Sequence, residues 1–184
     1  MDSKRLLVIS DSHGNVRALK TVFTWAKEQM PPKGSICACA CLGDGLSDLE
    51  KAADAAGFYC DWKLVRGNND FGFQLPEAAV FDFADHRFFM CHGHKQSIYS
   101  GYHILQAAAK NNDADAALFG HSHVPFLKIS DGITLINPGS VSHPRSETGA
   151  TFAVIECPLG EPLIIEFFGI SEKQTIQKIM INKK

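Results

Sequence analysis

Hydrophobic positions in the first third of the chain switch between two periods. Leu6, Leu7, Val8 and Ile9 form an unbroken apolar run, which predicts a buried strand over 5–10. Beyond a polar loop at 11–15, Val16, Leu19, Val22, Phe23 and Met30 recur at helical spacing, and Pro31-Pro32 closes that helix. A second strand is predicted over 35–42. Leu46, Leu49, Ala52 and Ala53 mark a second helix with Gly57 near its end, and a third strand follows over 62–66. This β-α-β-α-β order predicts a parallel sheet with right-handed crossovers.

The rhythm then changes to hairpins. Strands predicted over 79–83 and 87–91 flank Ala84-Asp85-His86, and strands over 126–129 and 133–136 flank Ser130-Asp131-Gly132, where glycine supplies the turn. A third pair, 151–156 and 163–168, flanks 157–161. Between the hairpins lie a helix over 102–110 and a strand over 116–119. The tail from Ser171 reads equally as a final strand or a frayed helix. Parallel units followed by hairpins fit an α/β fold of two packed sheets with helices outside. A length of 184 residues suggests one domain, 1–184, with a core that needs no disulfide.

Composition narrows the function class. An apolar content of 45% with net charge -2 describes an ordinary soluble chain, and no basic patch supports an extended nucleic-acid footprint. The opening MDSKRLLVIS is too short for a signal peptide or a membrane span, so a cytoplasmic protein is expected. Cys37, Cys39 and Cys41 alternate along one predicted strand, which would point them to one face with no turn to wrap an ion. Together with Cys60, Cys91 and Cys157 they read as reduced, buried small hydrophobes.

The chemistry sits where strands end. Ligands of open α/β sheets bind beyond the carboxyl ends of the strands, and Asp11, Asp44, Asn68, His92 and His121 all fall there. Gly43, Gly67, Gly93 and Gly120 beside them allow a sharp turn and close approach to a bound group. His13, His94 and His123 add imidazoles to the same loops. Each segment alone is an ordinary turn or solvated loop; five at strand ends converge on a metal centre. Carboxylate, amide and imidazole ligands without thiolate favour Mn, Fe, Zn, Co or Ni over calcium. Two cations about 4 Å apart repel unless a carboxylate and a hydroxide bridge them. Asp44, in the middle of the set, is the natural bridge. His86 in a turn and His103 at a helix start are expected at the surface.

The segments DSH, GD, GNND, HGH, GHSH and NPGS, in that order, resemble the calcineurin-like metallophosphoesterase superfamily over nearly the whole chain, and most closely its small YfcE-type phosphodiesterases. The resemblance implies a four-layer α-β-β-α metallophosphoesterase fold, two mixed β-sheets flanked by helices. It implies one ion on Asp11, His13, Asp44 and His123 and a second on Asp44, Asn68, His92 and His121. Manganese is expected first, with Ni, Co, Zn, Fe or Mg as alternatives. The implied activity is a metal-dependent phosphodiesterase that cleaves small phosphodiesters by attack of a dimetal-bridging hydroxide on phosphorus. A phosphomonoesterase with the same site is the nearest rival. From another class, the chain is similar to a eukaryotic endosomal-coat subunit that uses this architecture as a protein-binding scaffold, and Phe71, Phe73 and Leu75 offer an apolar patch for such contacts.

Many relatives carry a histidine directly after the metal-binding asparagine. Here Asn69 stands in that place; it has no useful acidity and is expected to donate a hydrogen bond to a phosphate oxygen. His94 becomes the candidate general acid, and Asp70 the acceptor that orients the 68–70 loop or a ligand histidine. The NPGS turn is expected to support the 121–123 loop through backbone hydrogen bonds, with Ser140 reaching toward substrate, or else to be only a rigid loop closing the second hairpin. Arg145 and Arg66 are candidate phosphate-binding cations or solvated arginines. Self-association is compatible with so small an enzyme, but no sequence feature sets its order.

Overall fold

Leu6 and Val8 point to one side of the first strand and Leu7 and Ile9 to the other, and both sides are buried. The computed structural model describes residues 3–29, 35–171 and 175–181. Its elements run β1 (Lys4–Ile9), α1 (Val16–Glu28), β2 (Ser35–Cys41), α2 (Leu46–Ala56), β3 (Asp61–Leu64), β4 (Ala78–Phe83), β5 (His86–Cys91), α3 (His103–Asn111), β6 (Ala116–Leu118), β7 (Pro125–Ser130), β8 (Ile133–Pro138), β9 (Thr151–Cys157), β10 (Leu163–Gly169) and β11 (Thr175–Ile181). One sheet has the order β11-β10-β9-β1-β2-β3 and the other β4-β5-β6-β8-β7. Both are mixed: β1-β2, β2-β3, β5-β6 and β6-β8 pair parallel, and the remaining pairs are antiparallel.

Period-two alternation divides the apolar residues into layers. Leu6, Val8, Phe88, Met90, Leu118, Ile155 and Ile165 fill the space between the sheets. Leu7, Ile9, Cys39 and Cys41 meet Leu19, Phe23 and Leu49 of α1 and α2 on the outer face of the first sheet. Phe89, Cys91, Ala117 and Phe119 meet Leu105 and Ala109 of α3 on the outer face of the second. The result is the expected four-layer α/β fold. Helix α1 starts where Asn15 Oδ1 accepts the Ala18 N–H at 3.0 Å, a cap worth about 1 kcal/mol. Helix α2 ends at Gly57, which takes the left-handed conformation.

Three expectations change. Cys37 does not share a face with Cys39 and Cys41: the β1-β2 register skips it between Arg5↔Ile36 and Leu6↔Ala38, so it bulges and packs toward the inter-sheet core. His86 is buried rather than on the surface, because it is the first residue of β5, paired with Phe83, and not part of the turn. The tail resolves as a strand, since β11 adds antiparallel to β10. Residues 172–174 and 182–184 of that tail, and Met30 with Pro31-Pro32, lie outside the described residues. All six cysteines are free, and burial pushes the thiols of Cys41, Cys91 and Cys157 up to about 12, as expected of inert core groups.

Candidate metal centre

Parallel pairing brings the carboxyl ends of β1, β2 and β3 to one edge, and the ends of β5 and β6 meet them across the inter-sheet core. The loops leaving these ends hold unusual backbone. Asp11 (φ 58°), His13 (φ 45°), Asp44 (φ 55°), His121 (φ 68°) and His123 (φ 60°) are all left-handed, and they are five of the nine non-glycine residues so placed among the described residues. Such a conformation costs a non-glycine residue of order 1 kcal/mol and persists only where its surroundings over-determine it.

Those surroundings are backbone hydrogen bonds between loops. Asp11 N–H donates to Gly43 O at 3.0 Å and His13 N–H to Asp44 O at 2.9 Å. The Asp70 carboxylate is buried and accepts four backbone N–H groups: Asp44 and Gly67 on Oδ2 at 2.6 and 2.7 Å, and Gly45 and Leu46 on Oδ1, both at 2.9 Å. It therefore orients the loops of Asp44 and Asn68 together. Gly67 crosses here because a Cβ would fall on the Asp44 carboxylate.

The side chains converge. Ligand atoms of Asp11, His13 and His123 lie within 4.8 Å of one another, as do those of Asp11, Asp44 and His92. Asp11 Oδ1 stands 3.2 Å from His123 Nε2, 3.7 Å from His13 Nε2 and 3.9 Å from His92 Nε2. Asp44 Oδ2 lies 3.4 Å from His92 Nε2 and 3.8 Å from His13 Nε2, so it reaches one imidazole of each cluster. His121 Nδ1 approaches His92 Nε2 at 3.2 Å, and its backbone N–H donates to Asp11 Oδ2 at 3.0 Å. Asn68 lines the cleft above these groups with Asn69, His143, Pro144 and Arg145, a cavity of about 500 Å³.

Two details show that a cation fits. His92 and His123 each turn Nδ1 to a backbone carbonyl, Leu42 O at 2.7 Å and His143 O at 2.6 Å, so in the neutral ring Nδ1–H donates and Nε2 presents a lone pair. Asp11 Oδ2 accepts from Ser10 Oγ at 2.6 Å and from the His121 N–H, whereas Oδ1 is buried and takes no hydrogen bond. A buried carboxylate oxygen facing imidazole lone pairs is expensive unless protons or a metal ion stand between them. The same competition appears in the charges. Burial pushes the Asp44 carboxyl up, yet His92 and the two Asn69 donors outweigh it and leave it well below the usual carboxylate range. Burial lowers His92, but Asp44 and Asp11 raise it further, and the Asp11 carboxylate beside it raises His123. Burial lowers His13 and His121, and for both a neighbouring imidazole adds to it.

Residues singled out beyond the ligand set fare differently. Asn69 donates from Nδ2 to Asp44 Oδ2 at 2.6 Å and from its backbone to Oδ1 at 2.7 Å, so its amide orients the carboxylate. The His94 ring packs 5.5 Å from that of His92 and 6.2 Å from that of His121, with Nδ1 buried and without a hydrogen bond. Ser140 does not reach toward substrate: it is buried, and its Oγ donates to Asp11 O at 2.7 Å. Arg66 is turned away to Glu77 Oε1 at 2.8 Å. Sequence reasoning missed Asp48, which accepts Ser12 Oγ at 2.7 Å and the Gly14 N–H at 2.9 Å, and Ser142, whose Oγ donates to Ser12 O at 2.7 Å. The one available signal was Asp48 on the apolar face of α2, between Leu46 and Leu49. Tyr99 and the His143 carbonyl, which contact His121 and His123, left no such signal.

Asn137 of the NPGS turn is fully buried and donates from Nδ2 to Gly120 O at 2.8 Å and Ser122 Oγ at 3.1 Å, while Oδ1 accepts the Gly139 N–H at 2.9 Å. The turn thus supports the 121–123 loop through the Asn137 side chain and not, as expected, through backbone hydrogen bonds. Asn137→Ala is expected to lower the unfolding free energy by about 2–3 kcal/mol and metal affinity by roughly 10–100-fold. Urea unfolding and a metal titration check the two effects; an unchanged titration would restrict Asn137 to stability.

Residues 5–158 match the family described as the calcineurin-like phosphoesterase superfamily domain. The chain is 30% identical over 150 residues to the "Probable metallophosphoesterase YsnB" of Bacillus subtilis, covering 82% of each. It is 32% identical over 149 residues to the "Probable metallophosphoesterase MG207" of Mycoplasma genitalium, covering 78% of this chain and 81% of that one. Among solved structures, a conserved uncharacterised protein of Streptococcus pneumoniae superposes with a TM-score of 0.78 at 24% identity, covering 98% of this chain and 99% of that one. Vps29 of Chaetomium thermophilum follows at 0.76 and 22%, covering 98% and 99%. The phosphoesterase YfcE of Escherichia coli gives 0.67 and 21%, covering 97% and 100%.

Proposed function

We infer that this chain, which belongs to the calcineurin-like phosphoesterase superfamily, is a metal-dependent phosphodiesterase acting on small phosphodiesters. The observation that carries the reading is Asp11 Oδ1, buried without a hydrogen bond and facing the Nε2 atoms of His13, His92 and His123. Asp11, His13, Asp44 and His123 would hold one divalent ion, and Asp44, Asn68, His92 and His121 a second. Such a pair, when bound, would lower the pKa of a coordinated water and neutralise charge on the phosphate oxygens.

The residues of this chain do the positioning. Asn69 holds both oxygens of Asp44, and the carbonyls of Leu42 and His143 fix the rings of His92 and His123. The cleft continues past His13, Asp44 and Asn69 into a second arm of about 410 Å³ lined by Gly14, Ser47 and Phe71. Two adjoining spaces that share His13, Asp44 and Asn69 suit an ester with two substituents and favour a diester over a monoester. The cleft volume falls in the range of small-molecule sites. No helix among the described residues is long and apolar enough to cross a membrane. Six free cysteines support a reducing, cytoplasmic location.

Gently purified protein is expected to lose hydrolysis of bis(p-nitrophenyl) phosphate on chelation and to regain it with Mn, and to turn over the diester faster than p-nitrophenyl phosphate. Full activity after chelation would sink the reading; faster monoester turnover would shift it to a phosphomonoesterase. For His94 as general acid, burial and then His92 lower its proton affinity. A lowered pKa means the ring is protonated only below its ordinary value of 6.5. Activity dependent on it therefore falls as pH rises through a point under 6.5, and His94→Ala should flatten that limb. An unaltered pH–rate profile would take His94 out of the role.

A second reading has one observation in its favour. A groove of about 580 Å³ lined by Leu49, Tyr59, Trp62, Phe73 and Leu75 lies away from the ligand cluster, whereas Phe71, 83% exposed, lines the arm beside His13 and Asp44. A Vps29 of the same fold has been solved with a cyclic peptide. Absence of any ester hydrolysis by the metal-loaded protein would favour a binding scaffold.

A further inference from the structure

Arg145 is the cation on the wall of the ligand-lined cleft, and its surroundings hold it there without neutralising it. Its backbone N–H donates to His123 O at 3.1 Å, which ties the residue to the ligand loop. Its Nη1 donates to Tyr99 Oη at 3.0 Å, and Tyr99 Oη in turn donates to His121 O at 3.0 Å. The Tyr99 ring lies 5.3 Å from the His121 ring, so the tyrosine is braced against a ligand histidine. Among the described residues, no carboxylate lies within ion-pair distance of Arg145, whereas Arg5, Arg66 and Arg87 each have one. A guanidinium carries five N–H donors in a planar fork suited to carboxylate or phosphate. One is engaged by Tyr99.

Its place in the cleft matters. The ligand atoms cluster around Asp11 Oδ1 and Asp44 Oδ2 at the buried floor. Arg145 is exposed and tethered beyond the backbone carbonyl of His121, on the rim. Donors placed on the rim, apart from the ligand atoms of the floor, leave room for a second anion beside a phosphate held there. We propose that Arg145, held on the rim by Tyr99, is a specificity-determining residue that recognises a second anionic group, a phosphate or carboxylate, carried by the substrate away from the scissile phosphate. This rests on the phosphodiesterase reading and narrows it: a doubly anionic diester is preferred over a plain monoanionic one.

The test uses a matched pair of esters, p-nitrophenyl thymidine 5′-phosphate and the same ester with a 3′-phosphate. The Mn-loaded protein is expected to favour the phosphorylated ester by about tenfold in kcat/KM, mainly through KM, as one charge-assisted contact would give. Arg145→Ala should abolish that ratio, Arg145→Lys should keep part of it, and Tyr99→Phe should weaken it by loosening the guanidinium. Calorimetry with thymidine 3′,5′-bisphosphate and thymidine 5′-phosphate reads the same preference without turnover. No preference in the native protein, or an Arg145→Ala loss shared equally by both esters and expressed in kcat, overturns the proposal. Absence of hydrolysis with the binding preference intact and dependent on Arg145 overturns the phosphodiesterase reading and leaves the anion subsite standing.

Discussion

Asp44→Asn is expected to reduce diester turnover by at least about 100-fold, because even partners one step removed from a metal ligand cost 10–100-fold when lost. The substitution keeps the shape of the side chain and removes its charge. That charge faces His92 Nε2 at 3.4 Å and His13 Nε2 at 3.8 Å, one imidazole from each cluster. A neutral amide cannot balance cations on both sides, so bound metal per chain should fall together with turnover. The fold should survive, since the Asn69 backbone N–H can still donate to the remaining oxygen in place of its present 2.7 Å bond. Elemental analysis and steady-state kinetics on the same preparation decide the matter. Retained metal and retained turnover together would remove Asp44 from the centre.

The second large effect is on stability. Asp70→Asn is expected to lower the unfolding free energy by about 2–5 kcal/mol. Each Asp70 oxygen accepts two backbone N–H groups, from Asp44 and Gly67 and from Gly45 and Leu46. Whichever way the amide turns, its NH2 confronts two donors with no acceptor between them. For a chain of this length the loss corresponds to a melting temperature lower by roughly 5–15 °C. It should be measured on metal-free protein, because a bound ion adds its own stabilisation and would mask the change. Metal affinity should fall as well, since the same bonds set the Asp44 and Asn68 loops side by side. An unchanged melting temperature would show that these N–H groups find other partners.

Much of this molecule is legible along the chain. The apolar runs at 6–9 and 36–42 mark strands, the spacing of Leu19, Val22 and Phe23 marks a helix, and polar groups just beyond strand ends mark a site. Periodicity is a local property, and local steric preference writes it directly into sequence. The role of Asp70 was partly visible for the same reason, as it sits in a short polar loop beside Asn68; Asn137, at the end of β8, was legible only as part of the NPGS segment. What sequence left hidden involves contacts between distant segments. Ser140 was open between substrate and support, and it is its bond to Asp11 O, 129 positions away, that makes it a support. Asp48 was missed because its role depends on Ser12, 36 positions away, which donates to it.

Residue types, element order and the presence of ligand-bearing loops follow from patterns a few residues long, and the chain carries them whatever surrounds it. The bulge at Cys37, the burial of His86, the left-handed backbone of Asp11, His13, Asp44, His121 and His123, and the lone oxygen of Asp11 do not. They arise when strands from different parts of the chain pair in one register and their loops must share a small volume. Packing then forces backbone and charge into states that no local preference would select.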